Sequence, residues 1–266
     1  MSAVLQASNE PVLLRHDAGG IATVTLNRPK QYNALSEELL TELQAQLDSI
    51  EKNPSVRVVI IAGSGSAFCA GHDLKQMRAN PTKAYYDRLF AQCSRIMMTL
   101  TRMPQPVIAR VHGIATAAGC QMVAQCDLAV ASDNARFAVS GINVALFCST
   151  PSVPLARNMS RKQAMEMLLT GDFIDAATAK ARGLVNRVVP VEKLDVEVKA
   201  LADAIIAKSP VAVTTGKMMF YKQTEMGMES AYEYASEVMA CNMMAEDVGE
   251  GIDAFTQKRP PNWKGK

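Results

Sequence analysis

Two short turns of small residues are the part of this sequence best suited to chemistry. They read FCAGHDL (residues 68–74) and ATAAGCQ (residues 115–121). Each follows an apolar run typical of a buried strand and precedes a helical pattern. The first N–H groups of a helix have no partner inside it, and the helix dipole makes that end positive. Two such turns side by side would form an oxyanion hole, in which two N–H groups bind one carbonyl oxygen.

The small residues of these turns would let a carbonyl approach the backbone closely. Turns of this kind also serve packing alone, and the residues by themselves leave that alternative open. The first polar side chain after the second turn is Gln121, which neither gives nor takes a proton at neutral pH. The turns therefore suggest polarisation of a carbonyl group without an obvious acid or base beside it.

Several other catalytic signatures are missing. Segment 63–71 has Phe68 where a dinucleotide-binding loop needs its third glycine, and segment 214–219 lacks the upstream glycine of a phosphate-binding loop. No G-x-S-x-G motif of serine hydrolases occurs. The three histidines, His16, His72 and His112, have no metal-ligand spacing, so no metal is expected.

The composition indicates an ordinary globular protein. The 266 residues can form one large domain, or one domain with a small appendage. The net charge is only +2 and aromatic residues make up 5%, which argues against a nucleic-acid partner. No apolar run approaches the roughly 18 residues that cross a bilayer, so no membrane span is expected.

The cysteines and the first residues together predict a cytoplasmic location. The six cysteines show no C-x-x-C spacing and are interpreted as reduced thiols. Segment 1–12 lacks the Arg-rich, acid-free character of a transit peptide and is expected to form a short frayed tail.

The first half of the chain alternates strand and helix patterns. Strands are predicted at 21–26, 56–63, 106–113 and 126–132. Ser36 is expected to cap a helix whose leucines recur at helical spacing. A second helix is expected to begin near Leu74 and to run through the nineties.

The second half is mostly helical. Gly171 and Gly183 are expected to end two helices, and a strand is predicted at 184–190. Three long helical segments follow, at 191–208, 210–222 and 227–246. The last is apolar on more than one side, which is typical of a helix that packs against another subunit. The whole pattern predicts an α/β core with a helical appendage.

The sequence resembles the crotonase superfamily of enoyl-CoA hydratases and isomerases along nearly its whole length. Within that superfamily it is most similar to the enoyl-CoA hydratase domain-containing members. The matching segments occur in the family's order and spacing. They are TLNRPKQYNALSEELLTEL (25–43), AFCAGHDLKQM (67–77), PVIARVHGIATAAGCQMVAQCDLAVAS (106–132), AMEMLLTGDFIDAATAKARGLVNRVV (164–189) and GIDAFTQKRPPNW (251–263).

This resemblance implies a fold, a ligand and an assembly. The fold is an α/β spiral of strand–strand–helix units over residues 1–200, followed by a helical region over residues 201–266 that forms trimers or hexamers. The ligand is an acyl-CoA, which serves as substrate, and no other cofactor is implied.

The resemblance also assigns residues to the site. The oxyanion hole would consist of the backbone N–H groups of His72 and Ala118, although many members have glycine at the second position. Ala70 and Asp73 flank His72 and belong to the CoA-binding set.

Four further positions match CoA contacts of relatives. Arg28 and Lys30 fall where relatives meet the CoA phosphates and adenine. Phe255 and Lys258 match a contact that relatives lend to the CoA of a neighbouring subunit. The alternative for the basic residues is an ordinary solvated surface.

Two positions depart from the hydratase pattern, in which two glutamates share the acid–base work. They are occupied here by Gln121 and Gly141, and segment 134–161 contains no Asp or Glu. Each such group contributes about 10²–10⁴-fold to the rate, so simple hydration should be severely slowed. The expected polar lining is Gln121, Ser140, Asn143, Cys148, Ser149 and Thr150.

The function expected from the resemblance is therefore that of a hydratase- or isomerase-like enzyme that stabilises a thioester enolate with an unidentified acid–base group. Of the expected lining, only Cys148 could act as a base or nucleophile, and nothing nearby in the sequence lowers its pKa. Two alternatives stay open: an acyl-CoA-binding regulatory protein, or another acyl-CoA reaction such as thioester hydrolysis or decarboxylation.

Overall fold

The strands of this protein are short and apolar, and they build two sheets. The computed structural model describes residues 10–266. The strands within this range are β1 (Leu13–Ala18), β2 (Ile21–Leu26), β3 (Val58–Gly63), β4 (Ala67–Cys69), β5 (Val107–Val111), β6 (Ile114–Thr116), β7 (Leu128–Ser132), β8 (Arg136–Ala138), β9 (Ile174–Asp175) and β10 (Arg187–Val189). The tail predicted for segment 1–12 falls almost entirely outside the described residues.

Helices follow the strands and dominate the second half. They are α1 (Glu37–Glu51), α2 (Leu74–Ala79), α3 (Lys83–Arg102), α4 (Ala118–Gln125), α5 (Ser149–Asn158), α6 (Arg161–Thr170), α7 (Ala176–Ala181), α8 (Leu194–Ile206), α9 (Pro210–Gln223), α10 (Met228–Asn242) and α11 (Glu246–Thr256). The predicted helix ends are confirmed at Ser36, which caps α1, and at Gly171, which ends α6 in the left-handed conformation.

From β3 to β8, the chain places successive strands alternately in two different sheets. One sheet has the order β1-β2-β3-β5-β7-β10 and the other β4-β6-β8-β9. Strands β3 and β4, β5 and β6, and β7 and β8 each contribute one strand to each sheet before a helix follows. This repeated strand–strand–helix unit is the spiral α/β fold that the sequence predicted.

The central strands are buried on both faces. Val59 and Ile61 of β3 belong to the main core, which also packs α1 and α3. Their neighbours Val58 and Ile60 pack instead with Leu194 and other residues of α8 on the outer face. The continuous apolar run of β3 is explained by these two packing partners.

Some sequence-based boundaries were wrong. The helix predicted from Leu74 through the nineties is two helices, α2 and α3, because the chain turns at Asn80 and Pro81 and a proline disfavours helix in the residue before it. Segment 227–246 contains α10 and the first residue of the separate helix α11. The boundary placed at residue 200 lies inside α8, and the division of the chain there stays a prediction.

Candidate active site

Three turns meet at one edge of the four-stranded sheet. Strands β4, β6 and β8 run parallel, so their carboxyl ends lie at the same edge. The chain leaves β4 at Ala70, β6 at Ala117 and β8 at Val139. The two turns singled out in the sequence are thereby neighbours, and a third turn, which contains Gly141, joins them.

In the turn after β4, one backbone N–H group points away from the neighbouring segment at Leu35. Leu35 donates its N–H to the Gly71 carbonyl (2.8 Å) and accepts from the Asp73 N–H (3.2 Å). Because backbone groups alternate along an extended segment, the His72 N–H faces the side opposite Leu35. Gly71 has φ +88°, a conformation that favours glycine.

The turn after β6 exposes the start of α4. Ala117 has φ +50° and ψ −120°, an unusual conformation for alanine, and its side chain makes no capping hydrogen bond. Strain of this kind costs about 1–3 kcal/mol and is found most often at functional sites. Ala118 is the first residue of α4, so its N–H has no acceptor within the helix.

The two turns are in direct contact. A β-carbon built on Gly71 would lie 2.8 Å from the Ala117 β-carbon and 3.2 Å from the Ala118 nitrogen. Among residues 10–266, no hydrogen bond uses the N–H of His72 or of Ala118. Two unpartnered N–H groups therefore belong to adjacent turns, and both residues line the same cavity.

This cavity has a volume of about 320 Å³ and is mostly apolar. Its apolar wall comes from helices α2, α3 and α5 and from the loop after β8. The members of this wall are Leu74, Met77, Phe90, Val144, Leu146, Phe147 and Pro151. Of the expected polar lining, the cavity has Ser140, Cys148, Ser149 and Thr150. Sequence reasoning missed the apolar wall, since its residues come from four separate segments.

Gln121 and Asn143 were expected in the lining, and this expectation was wrong. Gln121 lies one turn into α4, is 3% exposed and does not line the cavity. Its side-chain oxygen is buried and has no hydrogen-bond partner among the described residues. This burial is shared by nearly all residues of α4.

Gly141 lines the cavity, and its surroundings explain why no carboxylate could replace it without rearrangement. A β-carbon at this position would lie 2.5 Å from the Leu146 carbonyl oxygen and 2.7 Å from the Cys148 sulfur. The Gly141 N–H donates to that sulfur at 3.3 Å. Burial raises the pKa of the Cys148 thiol, so it remains protonated at neutral pH.

The His72 side chain forms part of the cavity wall beside Phe90. The two ring centroids are 5.5 Å apart, in an edge-to-face arrangement. Burial lowers the pKa of His72 to about 4, and an interaction with the Leu35 backbone offsets only part of this effect. The imidazole is therefore neutral at pH 7.

The predicted CoA contacts have different surroundings. Arg28 forms an ion pair with Asp73 at 3.0 Å and also donates to the Ala34 carbonyl. Burial alone would raise the pKa of Asp73, but hydrogen bonds from Arg28 and the Gln76 N–H hold it below its usual value. Asp73 also caps α2, so this pair positions the first turn.

The other residues predicted to contact CoA lie in different parts of the structure. Ala70 lines the cavity, and Lys30 is exposed on a short 3₁₀ turn. Phe255 is 86% exposed at the end of α11, and Lys258 follows it with φ +53°. Neither Phe255 nor Lys258 lines the cavity of its own chain.

A buried ion pair that sequence reasoning missed holds α9 to the core. Lys217 donates to Asp127 at 2.7 Å and to the carbonyls of Leu100 and Gln105. Asp127 also accepts from the Tyr221 hydroxyl at 2.8 Å. The partners lie far apart in sequence, so no local pattern could reveal them.

Residues 10–266 contain no candidate membrane span and no candidate metal-binding cluster. No helix there has both the length and the apolar character needed to cross a membrane. The same residues contain no group of three or more His, Cys, Asp or Glu side chains that could hold a metal ion.

The fold and the adjoining turns place the chain among spiral α/β proteins of the crotonase type. The profile of the Enoyl-CoA hydratase/isomerase family matches residues 16–266. The chain therefore belongs to this family, which confirms the resemblance noted in the sequence.

Individual relatives agree with this assignment. A crystal structure of enoyl-CoA hydratase from Mycobacterium smegmatis is 56% identical, with a TM-score of 0.94 over 96% of this chain and 99% of that one. The human enoyl Coenzyme A hydratase domain-containing protein 3 is 43% identical, with a TM-score of 0.92 over 95% of this chain and 100% of that one. Enoyl-CoA hydratase domain-containing protein 3, mitochondrial, of Xenopus laevis is 45% identical over 95% of this chain and 86% of that protein.

The comparison overturns the predicted cytoplasmic location. The vertebrate relatives, including those of Xenopus laevis and Homo sapiens, are named as mitochondrial proteins. The prediction depended on the composition of the first twelve residues and on the spacing of the cysteines, and neither establishes a compartment.

Proposed function

We propose that this protein binds an acyl-CoA and stabilises the enolate of its thioester with the backbone N–H groups of His72 and Ala118. The observation that carries the proposal is the pair of unpartnered N–H groups on adjacent turns at one cavity. Donors already fixed before the reaction stabilise a developing oxyanion without reorganisation. The apolar wall fits the acyl chain of such an ester.

The position of α4 strengthens the second donor. Its first residue is Ala118, where the positive end of the helix dipole favours negative charge. The ion pair between Arg28 and Asp73 would hold the first donor in place, which leaves the exposed Lys30 as the better candidate for a CoA phosphate contact.

The C-terminal helices support an assembly of several chains. Helix α10 has no buried residue, and its exposed side chains include Met228, Tyr232 and Met239. We propose that this surface is covered by neighbouring subunits in a trimer. Phe255 and Lys258 would then contact the CoA bound to a neighbour.

A second candidate function is acyl-CoA binding without turnover. It is favoured by one observation: in the described part of the chain, no Asp or Glu lines the cavity. A protein of this kind would retain the hole and bind the ester, but it would release no product.

A panel of trans-2-enoyl-CoA esters distinguishes these functions. The purified protein is titrated with each ester by calorimetry and then incubated with it, and mass spectrometry detects the addition of one water molecule. Binding with enzymatic turnover supports the enzyme, while tight binding without any product supports the second candidate. No binding across chain lengths would contradict both.

A further inference from the structure

The two ring nitrogens of His72 are buried, and neither has a partner with hydrogen-bond geometry among the described residues, although the Leu35 backbone lies near enough to raise the pKa of the ring. Buried polar atoms in folded proteins are nearly always paired, so two unpaired ones in a single side chain require an explanation. His72 lines the cavity, and its ring makes an edge contact with Phe90, another residue of the cavity lining. A ligand in the cavity would supply the missing partner.

Few other groups in this wall can accept a proton. The Ser140 hydroxyl is paired with Thr116 at 2.8 Å, and the Cys148 thiol accepts from the Gly141 N–H. The hydroxyls of Ser149 and Thr150 are poor bases at neutral pH. No carboxylate lines the cavity within residues 10–266. Among the side chains of the residues that line the cavity, the imidazole of His72 is therefore the best proton acceptor.

The position of this ring relative to the hole is favourable. One residue supplies both the N–H of the hole and the imidazole, so the ring is carried by a residue that would bind the carbonyl. A neutral imidazole has one nitrogen with a free lone pair, which is the form that accepts a proton. An enolate forming beside it would favour the protonated ring, because opposite charges stabilise each other.

We propose that the His72 imidazole accepts the α-proton of the bound acyl thioester and returns it, so that one side chain replaces the missing carboxylates. The C–H bond at the α-carbon breaks, its electron pair enters the enolate, and the proton moves to the ring nitrogen. If the ring proton is replaced from solvent before a proton returns to the α-carbon, the α-hydrogen is exchanged. Return to the γ-carbon of an unsaturated ester moves the double bond. No proton is gained or lost overall, so no further reactant is needed.

This inference depends on the proposed function, because it requires a thioester held at the hole. The test is α-proton exchange of a saturated acyl-CoA in D₂O, followed by NMR. The variants are His72→Gln and His72→Asn, each of which keeps the backbone N–H and removes the base. His16→Gln is the matched control, because His16 is exposed on β1 and does not line the cavity.

We expect both His72 variants to lose exchange by about 10²-fold or more. Their Kd for the acyl-CoA should stay within about threefold of the native value. They should still shift the absorption of a bound conjugated enoyl-CoA, since that shift reports the backbone donors. The His16 variant should exchange at the native rate. Circular dichroism checks that each variant is folded.

Two results would overturn the inference and spare the proposed function. One is native-rate exchange in either His72 variant. The other is a native protein that shifts the absorption of the bound conjugated enoyl-CoA but does not exchange the α-proton of the saturated acyl-CoA. A native protein that binds the ester without any absorption shift would contradict the proposed function as well.

Discussion

At the scale of a single residue, His72 would combine the two proposed roles. Its backbone N–H faces the cavity because Leu35 engages the groups on either side of it, and its ring is buried beside Phe90. A carboxylate does not fit at Gly141 without rearrangement, and Gln121 is buried outside the cavity lining. The site therefore contains backbone donors and one imidazole where hydratases have two carboxylates.

The burial of His72 predicts a pH dependence of stability. Its pKa falls from 6.5 to about 4 on folding, because burial disfavours the charged ring. Between these values the unfolded chain binds more protons, so the free energy of unfolding decreases as the pH falls. The slope from this group is at most about 1.4 kcal/mol per pH unit. The stability penalty from burying this group is absent above pH 6.5 and grows as the pH falls toward 4.

Urea unfolding of the native protein and of His72→Gln, at pH values from about 7 to about 4.5, measures this effect. As the pH falls through this window, the native protein should lose stability relative to His72→Gln. A difference that stays constant from neutral to acid pH would show that the folded ring titrates normally.

At the scale of elements, helix α10 has no buried residue within a single chain. Met228, Tyr232 and Met239 are spaced by four and seven residues, which places them on one face of the helix. Each is at least 71% exposed. An apolar stripe of this kind is typical of a protein–protein interface.

A charge on this stripe should break the assembly. We expect the native protein to sediment at three times the 28.7 kDa mass of the chain, and Met239→Glu to sediment as a single chain at the same concentration. A carboxylate inside an apolar interface loses its hydration without gaining a partner. Glu233→Gln, on another face of α10, is the control and should keep the native mass. A native protein of 28.7 kDa, or an unchanged mass for Met239→Glu, would contradict the trimer.

At the scale of the whole molecule, local patterns predicted the larger elements well. β2 has the predicted bounds, and the apolar repeat of α1 is buried as expected. The two turns were also found from the sequence, because small residues after apolar runs are a local signal, whereas the donors His72 and Ala118 were assigned by the family resemblance and stay a prediction.

Elements defined by distant partners were not predicted. β4, β6 and β8 have three residues each and exist through pairing with one another. The helix α5 contains Pro151 and Pro154, which disfavour a helical interpretation of its sequence. The pair of Arg28 with Asp73 and the apolar cavity wall join residues that are far apart in sequence, and no local pattern records them.

The central claim is that two backbone N–H groups polarise a thioester carbonyl. The direct measurement is the absorption spectrum of a conjugated aryl-enoyl-CoA bound to the native protein and to two variants. Ala118→Gly keeps the N–H. Ala118→Pro removes it at the first position of a helix, where proline is best tolerated. We predict a red shift on binding to the native protein and to Ala118→Gly, and none for ester bound to folded Ala118→Pro. An unshifted spectrum with the native protein saturated, or an equal shift with Ala118→Pro, would contradict the account.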